Sequence, residues 1–198
     1  MDKPFSDSLE KELKSTMGVG LAQVDELKPM ILTLTMSLAY LMKNNSDRLR
    51  LYKGVPLDIY FVNEAKIQKK DINPFETVEE QMNMLFNKTS IDDQATQLKI
   101  FTRNKEQAVQ MGYELMVSWF NKDLKKMYPI YENMAQITGN QDYLVKDRNN
   151  NWMKTLPGLL AKVSQFIAVG ALHLAGPDGL IEQLEHLGYT VTPIKEFL

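Results

Sequence analysis

Residues 166–179 read FIAVGALHLAGPDG, and residues 180–194 continue as LIEQLEHLGYTVTPI. The run from Gln165 to Gly170 is short, continuous and apolar, the pattern of a strand buried on both faces. Gly176 to Gly179 forms a turn. Leu180, Ile181, Leu184 and Leu187 follow at helical spacing, and Gly188 ends that helix. Tyr189 to Ile194 then alternates as a strand does. The unit is strand, loop, helix, strand, for which a right-handed parallel crossover is expected.

Upstream, the chain reads as helix almost throughout. Ser6 to Ser15 opens as a short helix, broken by Gly18 and Gly20. Pro29 starts an apolar helix that runs to about Lys43. Leu57, Phe61 and Ala65 lie one turn apart, as on the inner face of a helix ending near Lys70. Residues 71–76, DINPFE, read as a weak strand. Thr77 with Glu80 forms a capping box, and Ser90 with Asp93 repeats it. Asn104 opens another helix, with residues 122–136 as its antiparallel neighbour. The ITGN turn at residues 137–140 separates this block from a long helix over Tyr143 to Leu160, bent near Pro157. The predicted fold is therefore α/β: one domain over 1–198, predominantly helical, with a small, mainly parallel sheet. Its helical block spans 6–136 and its closing helix–strand–helix–strand unit 142–195. Three strands for eight or nine helices is too few for such a sheet.

Bulk properties narrow the function. The 198 residues carry a net charge of -2 and no cysteine. No basic footprint for nucleic acid is present, and disulfides and thiolate chemistry are excluded. No apolar run is long enough to span a membrane. The start, MDKPFSDSLEKELK, is polar and has no signal-peptide core.

Chemistry rests on few residues. His173 follows the buried strand, where ligands of open α/β sheets bind. It is a metal ligand or general base, or a side chain bonded within its own loop. Arg148, in DRNNNW, clamps a carboxylate or phosphate, or pairs with a neighbouring acid such as Asp147 or Glu132. Glu76 ends the weak strand as ligand or base, or as a first-turn acid favoured by a helix dipole. His186, four positions after Glu182, reads as a solvated helix-end histidine. Twelve methionines read as adaptable packing.

With these blocks in place, the chain resembles the TraB/PrgY/GumN superfamily, which includes the Tiki proteases. The resemblance runs through LKPMILTLTMSLAY (27–40), the block from Gly54 to Gln81, RNNNWMKTLPGLL (148–160) and the closing block at 166–194. It implies a metal-dependent hydrolase of peptidase type, with an incomplete Tiki/TraB-like fold. His173, in GALH, matches the second of the family's two GxxH motifs, Glu76 its strand-end glutamate and Arg148 its helix arginine. These imply His173 and Glu76 as ligands to a divalent metal, with Arg148 completing the catalytic set. The first GxxH has no counterpart, and GVGLAQVDE near Gly18 does not replace it. With the shortage of strands, this predicts a chain lacking the N-terminal segment of its relatives, weak in metal binding and inactive as a hydrolase. The alternative is a non-catalytic protein that sequesters a peptide or small signalling molecule. Exposed sheet edges predict a homodimer, and the relatives imply an envelope or periplasmic location.

Overall fold

A computed structural model describes residues 3–50, 53–138 and 141–194. Among them are eleven α-helices, three short 3-10 turns and no strand. The turn expected at 137–140 lies partly outside the described residues.

The first helices form one core. α1 (Lys3–Met17) buries Phe5, Leu9 and Leu13 at spacings of four, one face of a helix. α2 (Pro29–Asn44) starts on a proline, whose missing amide costs nothing at the first helical turn. Its next amide, on Met30, reaches the side chain of Gln94 at 3.3 Å. Gln94 is fully buried and donates to the carbonyls of Phe86 at 3.1 Å and Thr89 at 3.0 Å. One carboxamide thus ties two chain segments to the start of α2. Leu32 and Met36 of α2 meet the α1 stripe and Leu98 and Phe101 of a later helix in a single cluster. At its rim Glu12 accepts from Tyr40 and pairs with Lys105.

A single turn, α3 (Ser46–Leu49), precedes α4 (Leu57–Ile67). The inner face expected for Leu57, Phe61 and Ala65 is not buried: α4 has no buried residue, and Leu57 is 55% exposed. Its Phe61 instead rests on Phe166, ring centroids 4.8 Å apart. α5 (Val78–Asn87) and α6 (Ile91–Arg103) begin at the expected caps. Thr77 Oγ1 accepts from the Glu80 amide, and Ser90 Oγ from the Asp93 amide, each at 3.1 Å. α7 (Lys105–Phe120) and α8 (Leu124–Thr138) pack against one another across a three-residue connection.

The closing unit departs from the expected one. The long helix over 143–160 is three pieces: a 3-10 turn at Asp142–Leu144, α9 (Lys146–Trp152) and α10 (Leu156–Leu160). Pro157 falls in the first turn of α10, so it starts a helix rather than bending one. The small parallel sheet is absent among the described residues. Residues 164–170 and 189–194 do run without helix, and Ile167 and Val169 face a cluster of Trp152, Leu156 and Leu180 while Phe166 is 72% exposed. The alternation of a strand is present, but the ladder is not. No backbone amide or carbonyl of 164–169 or 190–194 hydrogen bonds to other described backbone. Residues 71–76 are likewise irregular. Period-two patterning sets the direction of side chains, whereas a sheet needs neighbours, and among the described residues no second strand stands beside these segments.

After the 3-10 turn at Ala171–His173 comes α11 (Leu180–His186), which Gly188 ends with φ +87°. The intervening loop is clamped. Gly176 has φ +81°, and a Cβ there would lie 2.2 Å from the ring of Tyr128 on α8. A Cβ on Gly179 would lie 2.6 Å from the carbonyl oxygens of Leu174 and Ala175. Gly176→Ala adds a left-handed backbone penalty to a ring clash, so a loss of roughly 2–4 kcal/mol in urea unfolding is expected. A loss under about 0.5 kcal/mol would mean that Tyr128 does not seat against this loop. Among the described residues no helix is long and apolar enough to cross a membrane.

Candidate functional site

α9 carries three neighbouring side chains to one place. Arg148, Asn149 and Trp152 all lie on α9, with Arg148 and Trp152 one turn apart. Asn149 is fully buried, and Trp152 is 5% exposed. Phe75 stacks on the indole at 5.2 Å and 19°, which brings Glu76 alongside. The His173 ring lies 4.4 Å from the same indole. His173, Glu76 and Arg148, 25 and 72 residues apart in sequence from one another through Arg148, thus meet around Trp152.

Their hydrogen bonds form a closed set. Arg148 Nε donates to both Glu76 oxygens, at 2.9 and 3.1 Å, and Nη2 donates to Oε2 at 2.8 Å. Trp152 Nε1 donates to Oε1 at 2.9 Å. The Arg148 Nη1 group serves the Leu144 carbonyl and His173 Nε2, each at 3.2 Å. Asn149 fixes the tautomer. Its Nδ2 donates to the carbonyls of His173 at 3.1 Å and Asp178 at 2.8 Å, so its Oδ1 is the acceptor. That oxygen lies 2.7 Å from His173 Nδ1, which therefore carries the proton. Nε2 is left with a lone pair and accepts from Arg148.

The charges follow. Burial would raise the Glu76 carboxyl, but the hydrogen bonds and charge of Arg148, with the Trp152 indole, hold it below its ordinary range. Burial, then the Arg148 charge, pushes His173 down to about 4, against a weaker upward pull from Glu76. His173 is thus neutral at pH 7. Below its ordinary value of 6.5 the unfolded chain takes up a proton that the folded chain refuses. Stability attributable to His173 is therefore complete above 6.5 and falls as pH drops toward about 4. Glu76 adds a further loss beneath the ordinary carboxylate range. Urea unfolding at pH 7, 5.5 and 4.5 should show the first loss, and His173→Gln should flatten it. An equal slope in that variant would place the pH dependence elsewhere.

A model of the TraB/PrgY/gumN family matches residues 2–193. The chain belongs to the TraB/PrgY/gumN family. No curated protein and no solved structure matches it.

Within this TraB/PrgY/gumN chain the expected metal site meets an obstacle. Both Glu76 oxygens are taken by Arg148 and Trp152, and both His173 nitrogens are engaged. No buried side-chain polar atom in the described residues lacks a partner. Nor do three His, Asp or Glu side chains gather there as a metal would need. A guanidinium stands where a cation bridging Glu76 and His173 would sit, so in this arrangement these residues do not fit one. His186 is solvated beside Glu182, 3.3 Å away, as expected for a helix-end histidine.

The centre opens onto a groove of about 660 Å³ between α5 and α9, with Glu76 and Arg148 in its wall. That is within the range of roughly 300–1,000 Å³ common for ligand sites. Asn149 and Trp152 were not singled out as site residues from the sequence. The available signal was an asparagine at helical spacing from the apolar Val145, Trp152 and Leu156, since a buried carboxamide needs partners.

Proposed function

We propose that the groove beside the Glu76–Arg148–His173 centre binds a peptide or other small signalling ligand, and does so without a metal ion. The observation that carries this reading is the closed hydrogen-bond set. Every ionic group in it is already neutralised, and the centre borders a groove of ligand size. A site preorganised in this way holds a ligand but offers no charged nucleophile and no acid. A pool of short peptides should raise the melting temperature, by an amount that grows with the logarithm of ligand excess. Arg148→Met should remove that rise. No shift with any peptide, from a chain that unfolds cooperatively, would sink the reading.

A second reading, metal-assisted hydrolysis, is favoured by one feature. His173 is neutral, and Nε2 keeps the lone pair that a metal ligand or general base requires. It requires Arg148 to swing off Nε2 and further ligands to join. Weak zinc binding by calorimetry and no peptide cleavage by mass spectrometry are the expected results. Tight zinc binding with cleavage abolished in His173→Ala would displace the binding reading.

Self-association is supported by the bare backbone of 164–169, whose apolar edge is of the kind that pairs between chains. Light scattering should find dimers at high concentration. A strict monomer would exclude them.

A further inference from the structure

We infer that the groove recognises the neutral main chain of an extended peptide through side-chain carboxamides, largely without regard to peptide sequence. The inference rests on the ligand-binding reading above and names its ligand class.

Charge comes first. Glu76, Glu80 and Asp147 in the groove wall are matched by Lys88, Arg148 and Lys154, so the lining sums to zero. Arg148 offers no free cationic fork for a bidentate grip on an anion. A guanidinium has five N–H groups. Nε and one Nη2 hydrogen go to Glu76, and the two Nη1 hydrogens go to Leu144 and His173. A single Nη2 N–H remains. It fits one carbonyl oxygen and cannot grip a phosphate or carboxylate bidentately.

The remaining polar lining is rich in amides. Asn83 and Asn87 face the groove from α5, and Asn150 and Asn151 from α9. A carboxamide sets a donor beside an acceptor, matching the C=O and N–H that a peptide group presents. These amides are partly held in place. Asn87 Nδ2 donates to Asn83 Oδ1 at 2.7 Å, and Lys28 donates to Asn87 Oδ1. Lys154 donates to Asn151 Oδ1 at 2.9 Å. The Nδ2 groups of Asn83 and Asn151, and both polar atoms of Asn150, have no hydrogen-bond partner among the described residues. Donors and acceptors from two facing helices, with one N–H from Arg148, suit a strand of alternating amides and carbonyls. A sugar would instead call for an aromatic face, and the aromatic residue in the lining, Tyr143, is 9% exposed.

The test uses the whole chain and dye-labelled hexapeptides of mixed uncharged sequence, acetylated and amidated at their ends. A second pool carries N-methyl groups at alternate amides. Fluorescence polarisation should show binding of the first pool and at least tenfold weaker binding of the second. Asn83→Ala with Asn150→Ala, both at exposed positions, should weaken the first pool at least fivefold with an unchanged unfolding midpoint. Equal affinity for the two pools would overturn main-chain recognition while leaving peptide binding intact. Tighter binding of a phosphoserine peptide or of maltohexaose would overturn the neutral-peptide assignment. Binding of neither pool would overturn the peptide reading of the preceding section as well.

Discussion

Trp152→Ala is expected to cost about 3–5 kcal/mol of stability, the range for deleting a large buried aromatic. The indole is the hub of the closing unit. Phe75 stacks on it, the His173 ring and the Arg148 guanidinium (4.9 Å from its centroid) lie against it, and Leu156 and Leu180 complete its pocket. Truncation would empty that pocket and remove the Nε1–H bond that helps to hold Glu76 ionised. Whole-domain stabilities are about 5–15 kcal/mol, so this one change could leave the closing unit largely unfolded. Trp152→Phe separates the two effects. It keeps most of the apolar contact and loses the donor, and should cost about 1–2 kcal/mol. Urea unfolding followed by circular dichroism checks both. A loss below about 1 kcal/mol for Trp152→Ala would show that the cluster around it is not a core.

Asn149→Leu is the second large effect. Leucine keeps the branched outline of asparagine with bulkier tips, but it strands the His173 carbonyl and an imidazole N–H in a buried place and leaves the Asp178 carbonyl with Gln183 as its donor. Unpaired buried groups cost about 1–3 kcal/mol each, and a total near 3–5 kcal/mol is expected after relaxation. Asn149→Asp provides a sharper readout. Its carboxylate would still accept from Nδ1 but would face the carbonyls of His173 and Asp178, which it could not serve. A negative charge at Nδ1 favours imidazolium. The His173 pKa, followed by proton NMR, should therefore rise clearly from its depressed value of about 4. An unchanged titration would mean that Asn149 does not set the tautomer.

Much of the helical part was legible because its determinants are local. Pro29, Thr77 with Glu80, and Ser90 mark helix starts by satisfying or lacking particular backbone amides, and these are contacts within four residues. The inner face of α4 was not legible. A stripe of Leu57, Phe61 and Ala65 states which side is apolar, and it does not state whether another element arrives to cover it. The sheet failed for the same reason: extended backbone is written in the alternation around Ile167 and Val169, whereas pairing depends on a second segment. The site was half legible. His173, Glu76 and Arg148 were linked by resemblance to a family, since separations of 25 and 72 residues carry no local signal. That Arg148 would close the space between the other two followed only from their geometry, and it moves the favoured chemistry from metal coordination to ligand binding.

The bare backbone of residues 164–169 and 190–194 also sets a clock. Amides with no acceptor exchange with solvent deuterium at nearly the rate of an unfolded chain, whereas the buried helices α1, α2 and α6 must open before theirs can. A deuterium pulse of seconds should label these two stretches fully and leave the core dark. Anything that later lies along them, from a second copy to a docked strand, would announce itself as slowed exchange at those few amides, mapped residue by residue.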